Sequence, residues 1–585
     1  MDQIFIHSSW ILVVFVGISA IYRLLCQVKG AQSTCTPPSA IFFVWLAIAF
    51  LAWFSFHNLA THSGTLLTWE CEVTTGFLSS GSNHLSVWQY LLDLASWQDG
   101  TVARGDQSFY FGLPTYAIFQ SFGYSVLYLR ICAAIAAVLA AILVYISATR
   151  IYGPLAGACA ALLFALNPAV IYYAKYGTSL SGTILGLLLV FVAIIYWRGL
   201  KPNSLIMPYL VFLLAFLATL NYSPARVVVL IMLGIIVVRS LVEIARNPEA
   251  RGRSLHALAA VCICASVLTY LEVRSGGAGR FLNARGEQAF NLMHNQEYVA
   301  GELGDTTQNQ SFATKLLFFK KIIQNRAAEL WNLFSPFSTL GENAKDLRSL
   351  GDPPDLKFYQ AGFAPFIVLG IFLAALNIGR IENQILLGWL FLGAAPLLLT
   401  NRVDLHRVFV LLVPLLFFAA HGLATAINWV ASARHLSWIP NICLALLSAS
   451  ALAYDLRLLS GSSEVPKAFA EIKRHIEAAA PNSVLIGARN YCGDIYWLNF
   501  EMAERERNTP DFNFEVLDPA LSDPLINSRL PNSPDVVGRA LPKLEAFRET
   551  ILYPSSEFKD FGKILQNQAF QVENQGELLI IRNSK

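Results

Sequence analysis

Long apolar runs recur along most of this chain, and they constrain its fold more than any other feature. A helix of about 20 apolar residues crosses the hydrocarbon layer of a bilayer, and by that measure the sequence predicts about twelve spans. Only 14% of the 585 residues are charged, against roughly 25% in soluble proteins. The predicted spans cover residues 9–27, 41–56, 124–148, 153–172, 180–198, 204–220, 224–242, 255–271, 361–378, 384–400, 405–428 and 437–454. The predicted fold class is mainly α, a polytopic α-helical membrane protein with large outer loops and a C-terminal soluble α/β domain.

Two apolar segments are read differently from the other spans. The first run, 9–27, has no basic region before it and no small-residue cleavage site, so it is expected to be retained as a span or an interfacial helix. Residues 108–123 are apolar but contain Gly112 and Pro114, which favours a re-entrant or interfacial segment. Residues 1–40 are therefore predicted to form an extra N-terminal span with its cytoplasmic loop.

Basic residues in the short loops predict the orientation of the chain, because cytoplasmic loops carry an excess of Lys and Arg. The short loops on the opposite side hold only four Lys and Arg residues, namely Lys175, Arg226, Arg402 and Arg407. The outer side then receives both termini, the loops 57–123 and 272–360, and the tail from 455. The residues assigned to the cytoplasmic side are Arg23, Lys29, Arg150, Arg198, Lys201, Arg239, Arg246, Arg251, Arg253, Arg380 and Arg434.

The composition changes after residue 455, and the tail 456–585 is predicted to be an extracytoplasmic α/β domain. Strands are expected at 483–487, near 512–517 and at 577–582, with helices at 465–480 and 559–566. The tail has no nucleophile elbow, phosphate-binding glycine loop or zinc-ligand spacing. Its expected role is contact with an acceptor or closure over a donor cleft.

Carboxylates stand out in the first outer loop, where Glu70 and Glu72 flank Cys71 just beyond an apolar span. A carboxylate there can act as a general base that deprotonates an acceptor hydroxyl. The alternatives are that both are ordinary solvated acids, or that Asp93, Asp99 or Asp106 acts instead. No second acid cluster is visible, so no metal site is predicted.

Cations on the outer side break the charge bias of the loops, and charge at a membrane boundary usually has a partner. A suitable partner is the phosphate or pyrophosphate of a membrane lipid, because Arg forks match phosphate oxygens. The alternative is anchoring at the headgroups by long basic side chains. If the substrate is a sugar on a polyprenyl phosphate, the outer carboxylates and the outer cations have complementary roles. The carboxylates would activate the acceptor, and the cations would stabilise the leaving phosphate. The predicted phosphate-binding residues are Arg130, Lys175, Arg226, Arg402, His406 and Arg407.

Five motifs, in this order, resemble those of the C-type (GT-C) polytopic membrane glycosyltransferases, near the protein O-mannosyltransferase and aminoarabinose (lipid A) transferase branch. The resemblance covers most of residues 41–455, predicted to be the transmembrane glycosyltransferase domain. The motifs are Phe122-Gly123 with Leu129-Arg130, Ala165-Leu166-Asn167-Pro168, Tyr222-Ser223-Pro224-Ala225-Arg226, Phe334-Ser335-Pro336 with Gly341-Glu342, and His406-Arg407 with Val413-Pro414.

The resemblance implies an enzyme that moves a sugar from a polyprenyl-phosphate donor to a protein, lipid or glycan acceptor. It implies an acidic base in the first outer loop, usually Asp followed by Glu, where this chain has Glu70, Cys71 and Glu72. It also matches Arg130 to the family's basic residue. Some relatives use a divalent cation with paired acids, so a divalent cation is allowed but not predicted.

Three other functions stay open at this point. A lipid-linked glycan polymerase or ligase would differ mainly in the size of the group transferred. A transporter or flippase for lipid-linked glycans fits the number of spans, but two related halves are not visible. A non-catalytic membrane anchor could present the tail as a binding module. The tight loops suggest a bacterial plasma membrane, and nothing in the composition suggests nucleic acid as a partner.

Overall fold

The computed structural model describes thirteen helices of the apolar region and a small C-terminal sheet with one helix. The described residues are 40–56, 109–122, 126–175, 177, 179–199, 206–220, 223–246, 251–275, 361–395, 397, 408–434, 438–460, 483–488, 514–516, 544–553, 559–566, 570–576 and 578–583, with single positions in 320–328 and 471–475 and at 542. The chain divides into two compact units. One holds residues 1–59, 84–117 and 129–461, and the other holds residues 60–83, 118–128 and 462–585.

Helices occupy every predicted span position that the structure describes. In the described ranges, four helices are long and apolar enough to cross a membrane, and a bent pair gives a fifth. The predicted span 9–27 lies outside the described residues, and the total of about twelve stays a prediction. The helices are α1 (Ala40–Phe56), α2 (Phe109–Phe122), α3 (Val126–Tyr152), α4 (Pro154–Ala165), α5 (Pro168–Lys175), α6 (Ser179–Gly199), α7 (Ile206–Thr219), α8 (Ser223–Arg246), α9 (Arg251–Ser275), α10 (Ala364–Leu376), α11 (Ile381–Ala394), α12 (Leu412–Arg434) and α13 (Ile439–Ser460).

The segment predicted as re-entrant or interfacial, 108–123, is largely the helix α2, with Pro114 inside it. Pro114 is tolerated there although proline removes one backbone donor. The Thr115 hydroxyl donates to the Phe111 carbonyl oxygen at 2.8 Å. This helix begins against α7, because the Phe109 N–H donates to the Leu220 carbonyl oxygen at 3.3 Å.

The predicted single span 153–172 is wrong in shape, because it consists of two helices. The axes of α4 and α5 are bent by 53° at a short break. Pro168 cannot donate to the preceding turn, and the residue before a proline is disfavoured in helical geometry. Helix α5 then continues to Lys175, so this lysine is not a loop residue.

The core of the helical unit is built by close approach of α10 and α12. A side chain at Gly370 would overlap the backbone of Phe418, and one at Gly422 would overlap the backbone of Phe366. Absence of a Cβ at both positions allows the two helix backbones to touch. Small residues serve this purpose in membrane proteins, where the lipid supplies no hydrophobic drive between helices.

Aromatic side chains join three further helices to this core. The ring of Phe191 on α6 packs edge-on against Trp389 on α11 and Phe417 on α12, with centroids 6.2 and 5.7 Å apart. The Trp389 indole N–H donates to the Val410 carbonyl oxygen at 3.0 Å. Val410 lies in a short 3₁₀ helix, Phe409–Leu411, that leads into α12.

The C-terminal unit contains a five-stranded mixed sheet in the order β2-β1-β3-β5-β4. Strands β1 and β2, and β1 and β3, are parallel, whereas β5 is antiparallel to both β3 and β4. The helix α14 packs against β4 and β5. The elements are β1 (Val484–Ala488), β2 (Phe514–Val516), β3 (Glu549–Tyr553), α14 (Lys559–Gln566), β4 (Phe570–Gln575) and β5 (Leu578–Asn583).

Three predicted strands and the predicted helix 559–566 are confirmed within one or two residues, whereas β3 and β4 were not predicted. The predicted helix 465–480 lies mostly outside the described residues. The run Leu578–Ile581 in β5 is buried at every position, as expected for a strand inside a sheet. Strand β4 has one buried residue, Phe570, followed mostly by polar residues. Its sequence therefore shows no clear alternation of apolar and polar residues.

Candidate functional site

The structure describes three of the eight residues predicted to act on a lipid-phosphate donor and its acceptor, namely Arg130, Lys175 and Arg226. The other predicted residues lie outside the described residues, as do the alternative acids Asp93, Asp99 and Asp106. Those predicted residues are Glu70, Glu72, Arg402, His406 and Arg407.

Arg130 is the fifth residue of α3, and only 2% of it is exposed. A guanidinium so deep in an apolar helix must be hydrogen-bonded or paired, because an isolated buried charge is very costly. Its five donors in a fixed fork suit the oxygens of a phosphate group. The fold therefore removes from water a cation that the sequence analysis assigns to the donor phosphate.

Lys175 ends α5, and 5% of it is exposed. None of the ion pairs within the described ranges involves Lys175. A cation in the last turn of a helix is favoured by the partial negative charge of the helix end. That interaction is modest, so a buried lysine at this position is suited to an anionic ligand.

The turn after α5 packs against the start of α3, and this contact joins the element that carries Lys175 to the element that carries Arg130. A Cβ at Gly177 would overlap the side chain of Leu129, the residue directly before Arg130. Gly177 lies two residues after Lys175. The absence of a side chain at Gly177 therefore lets the turn after α5 lie directly on the helix that carries Arg130.

A second contact connects α5 to the segment that follows His406 and Arg407. The ring of Tyr173 packs edge-on against Phe409, with centroids 4.8 Å apart. The Tyr173 carbonyl oxygen accepts from the Ser181 hydroxyl at 3.4 Å. The end of α5 is thus held from α6 and from the 3₁₀ helix at the same time.

Arg226 is half-buried near the start of α8, and its Nε donates to the Thr219 carbonyl oxygen at 2.9 Å. The next residue, Leu220, accepts from Phe109 of α2. These contacts link Arg226 to the end of α7 and to the start of α2.

Asn167 is a residue of this region whose role the sequence reading missed. Its side-chain oxygen accepts from the backbone N–H groups of Ala169 at 2.9 Å and Val170 at 3.2 Å. It is 4% exposed and forms the N-cap of α5. Asparagine followed by proline is a signature of an N-cap and first helical turn, so this signal was present in the sequence.

A groove beside the break is lined by side chains of α4, α10, α12 and α13, and Asn167 is the single polar residue among its described lining. No group of three His, Cys, Asp or Glu side chains in the described part of the chain is placed to hold a metal ion. Within that part, the chemistry available at the site is cationic, and two buried cations on neighbouring elements suit a phosphate.

Comparison with known proteins gives a match at the level of structure. The sequence matches no protein-family model and no curated protein. The oligosaccharyltransferase of Archaeoglobus fulgidus, crystallised with Zn and sulfate, superimposes with a TM-score of 0.52 at 12% identity, over 92% of this chain and 73% of that chain. The archaeal oligosaccharyltransferase AglB of A. fulgidus, in complex with an inhibitory peptide and a dolichol-phosphate, gives 0.52 at 11% identity, over 94% and 74%.

A bacterial protein of similar length shares the same fold. ArnT from Cupriavidus metallidurans in the apo state gives a TM-score of 0.50 at 12% identity, over 92% of this chain and 97% of that chain. At such low identity, these similarities establish the fold alone. The chain shares the fold of the archaeal oligosaccharyltransferase and of ArnT, and its described helices include four that are long and apolar enough to cross a membrane.

Proposed function

We propose that this protein is a membrane glycosyltransferase that uses a sugar on a polyprenyl phosphate as donor. The observation that carries the proposal is the pair of buried cations, Arg130 and Lys175, on elements that contact each other through Leu129 and Gly177. Cations held out of water at one place in this fold suit a lipid phosphate. The dolichol-phosphate bound to the archaeal oligosaccharyltransferase of the same fold supports the choice of ligand.

The proposed reaction is a single displacement with inversion at the anomeric carbon. The acceptor hydroxyl gives its proton to a carboxylate as its oxygen forms the bond to the anomeric carbon. The bond from that carbon to the phosphate oxygen breaks, and its electron pair stays on the departing lipid phosphate. Arg130, Lys175 and Arg226 stabilise that negative charge, together with Arg402, His406 and Arg407.

The base is assigned to Glu70 or Glu72 in the first outer loop, following the resemblance of that loop to the family's acidic motif. Asp93, Asp99 and Asp106 are the alternatives in the same loop. A divalent cation is not needed for the proposed displacement, because the base and the cations supply proton transfer and charge stabilisation.

The acceptor is a hydroxyl of a protein, lipid or glycan at the outer face of the membrane. The proposed location is a bacterial plasma membrane with the C-terminal unit outside the cytoplasm. The tail would contact the acceptor or close over the donor. Cell-envelope glycan or protein glycosylation is the matching cellular process.

Transfer of a larger glycan is a second candidate, as in a lipid-linked glycan polymerase or ligase. The similarity to archaeal oligosaccharyltransferases favours it, whereas the coverage of 97% of ArnT favours an enzyme of the first kind. A transporter or flippase for lipid-linked glycans would move its substrate without covalent change. Donor size and the formation of a covalent product separate these three functions.

The test is a transfer assay with purified protein and a panel of radiolabelled polyprenyl-phosphate donors, carrying single sugars or oligosaccharides, with a membrane extract as acceptor. Release of sugar from one donor, with free lipid phosphate as co-product, is expected. Glu70→Gln or Glu72→Gln is expected to lower the rate by at least 10²-fold, as is usual for loss of a general base. Glu382→Gln, at the start of α11, serves as the control and should keep the full rate.

Two results would contradict the proposal. Uptake of intact lipid-linked glycan into sealed vesicles, without a covalent product from any donor, would identify a transporter. Full rates in Glu70→Gln, in Glu72→Gln and in the double variant would exclude both residues as the base and leave the loop aspartates to be tested in the same way.

A further inference from the structure

We propose that Asn167 is a positioning residue that sets the place of Lys175 in the donor site. The inference rests on the proposed function, since Lys175 is taken as a ligand of the donor phosphate. Asn167 does not touch the substrate in this proposal. It acts through α5, the eight-residue helix that begins at Pro168 and ends at Lys175.

The break before α5 requires a cap because its first N–H groups have no carbonyl partner in a preceding turn. The Asn167 side-chain oxygen supplies that partner to Ala169 and Val170. The Asn167 carbonyl oxygen then accepts from Ile171 at 3.0 Å, which is the first hydrogen bond of α5. One residue therefore ends the turn that leaves α4 and starts the helix that carries Lys175.

The bend moves Lys175 by a distance that matters for catalysis. Helix α5 is about 12 Å long for eight residues, and a bend of 53° displaces its end by about 11 Å from a straight continuation of α4. Misplacement of a positioning group by about 1 Å is enough to cost an enzyme about 10²-fold in rate. The direction of α5 is therefore decisive for any role of its last residue.

The direction of α5 determines which residues its C-terminal end contacts. The end of the helix lies where Gly177 packs on Leu129 and Tyr173 packs on Phe409. All eight residues of α5 are buried, so water is not available to replace a lost cap. Without the oxygen of Asn167, two buried N–H groups would lose their partner, and α5 would be expected to fray from its start or to change direction.

The first experiment compares Asn167→Ala with Asn167→Ser, which differ by one oxygen able to accept the cap bonds. Asn167→Ala is expected to lower kcat/KM for the donor by about tenfold, the order of a lost N-cap, and Asn167→Ser is expected to restore most of it. Lys175→Gln provides the partner for a double-variant cycle. If Asn167 acts through Lys175, the double variant Asn167→Ala with Lys175→Gln is no slower than Lys175→Gln alone.

A second experiment measures the position of α5 without any activity. Leu129→Cys and Gly177→Cys together place two thiols whose Cβ atoms would lie about 3.0 Å apart, slightly closer than a disulfide prefers. Oxidation in the membrane is expected to cross-link this pair, with the bonded peptides identified by mass spectrometry and each single-cysteine variant as the reference. Adding Asn167→Ala should lower the yield several-fold, and adding Asn167→Ser should not.

A matched control is Asn377→Ala, which also removes one side-chain hydrogen bond from a helix end, to the Leu373 carbonyl oxygen. It lies at the turn between α10 and α11 and should leave the cross-link unchanged. An unchanged cross-link in Asn167→Ala, or additive losses in the double-variant cycle, would overturn the inference. If the wild-type protein transfers no sugar, the proposed function fails while the cross-link still decides the role of Asn167.

Discussion

Lys175 and Arg130 are charged side chains that the fold removes from water. Their burial costs desolvation free energy that the same side chains would not lose in a solvated loop. Arg226 differs from them, because it is only half-buried and already donates its Nε to the backbone of Thr219. A charged side chain inside a membrane protein is a marker of function. The burial of these residues therefore adds to the case made from their position in the sequence.

Removal of either buried cation is expected to slow transfer strongly. Lys175→Gln and Arg130→Gln should each lower kcat/KM by about 10²-fold, the order for loss of one group that stabilises developing negative charge. Arg226→Gln should lower it less, since one of its donors is already committed to Thr219. Arg150→Gln is the matched control, because it lies at the exposed far end of α3. Rates within twofold of the wild type for both buried positions would contradict their assignment to the donor phosphate.

Ionic contacts in the C-terminal unit predict how the stability of its sheet depends on pH. Hydrogen bonds from Gln575 at 2.8 Å and Arg582 at 2.9 Å lower the pKa of the Glu573 carboxyl. Since the folded pKa lies below the unfolded value of about 4.3, this stabilisation is present at neutral pH. It is lost as the pH falls through the lowered pKa.

Glu573→Gln is therefore expected to speed hydrogen exchange in β4 and β5 of the full chain at about pH 7, with the difference from wild type closing in acid. The comparison is made between variant and wild type at each pH, and peptides of α8 provide an internal reference. The effect should be small, because the carboxyl is exposed and its ion pair is screened. A difference that grows as the pH falls would mean that another group dominates.

At the scale of elements, the helical unit depends on places where side chains are absent. The pair Gly370 and Gly422 lets α10 and α12 meet backbone to backbone. The same principle acts at Gly177, where the turn after α5 meets α3. Gly153 has another role, since its φ of 95° allows the chain to turn directly from α3 into α4.

Gly370→Ala and Gly422→Ala are each expected to lower the thermal unfolding temperature in detergent. Each added methyl group would meet backbone rather than a flexible side chain, so the helices must separate, at a cost of about 1–3 kcal/mol. The matched control is Gly234→Ala in α8, where a Cβ meets nothing within 4 Å. That change should be neutral or stabilising by up to about 1 kcal/mol. Equal unfolding temperatures for all three variants would contradict the packing described for α10 and α12.

At the scale of the whole molecule, charge at the helix ends bears on the orientation of the chain. Arg150 and Arg246 lie at the ends of α3 and α8 that are assigned to the cytoplasm, and Arg380 lies in the α10–α11 turn on the same side. Lys175 lies at the other side in this assignment. With this assignment, the positive-inside rule predicts that the chain ends outside the cytoplasm.

Reporter fusions test this orientation. Alkaline phosphatase fused after Lys585 is expected to be active, because that enzyme requires the periplasm, and a fluorescent protein at the same place should stay dark. Fusions after Arg246 should give the opposite pair of results. If the fluorescent proteins fused after Lys585 and after Arg246 both fluoresce, the C-terminal unit lies in the cytoplasm. It then cannot contact an acceptor at the outer face, as proposed.

Predictions from the sequence succeeded where a local pattern is sufficient. The apolar runs predicted helices at every span position that the structure describes, because a helix is how an apolar segment satisfies its own backbone in a membrane. The five motifs that resemble the C-type glycosyltransferases predicted the fold that this chain shares with the oligosaccharyltransferase and with ArnT. The strand β5 was predicted because its run of apolar residues can be recognised in the sequence without knowledge of the strands that pair with it.

Tertiary structure alone decided what depends on residues far apart in the chain. The burial of Lys175 follows from a 53° bend and from contacts with α3 and the 3₁₀ helix, none of which is present in the residues around it. The strand β3 is defined by its pairing with β1 and β5, and its own sequence does not specify them. The sequence by itself determined which segments are helical and which residues carry charge. The packing of distant segments determined which of those charges are removed from water, because the burial of a residue depends on its neighbours in space.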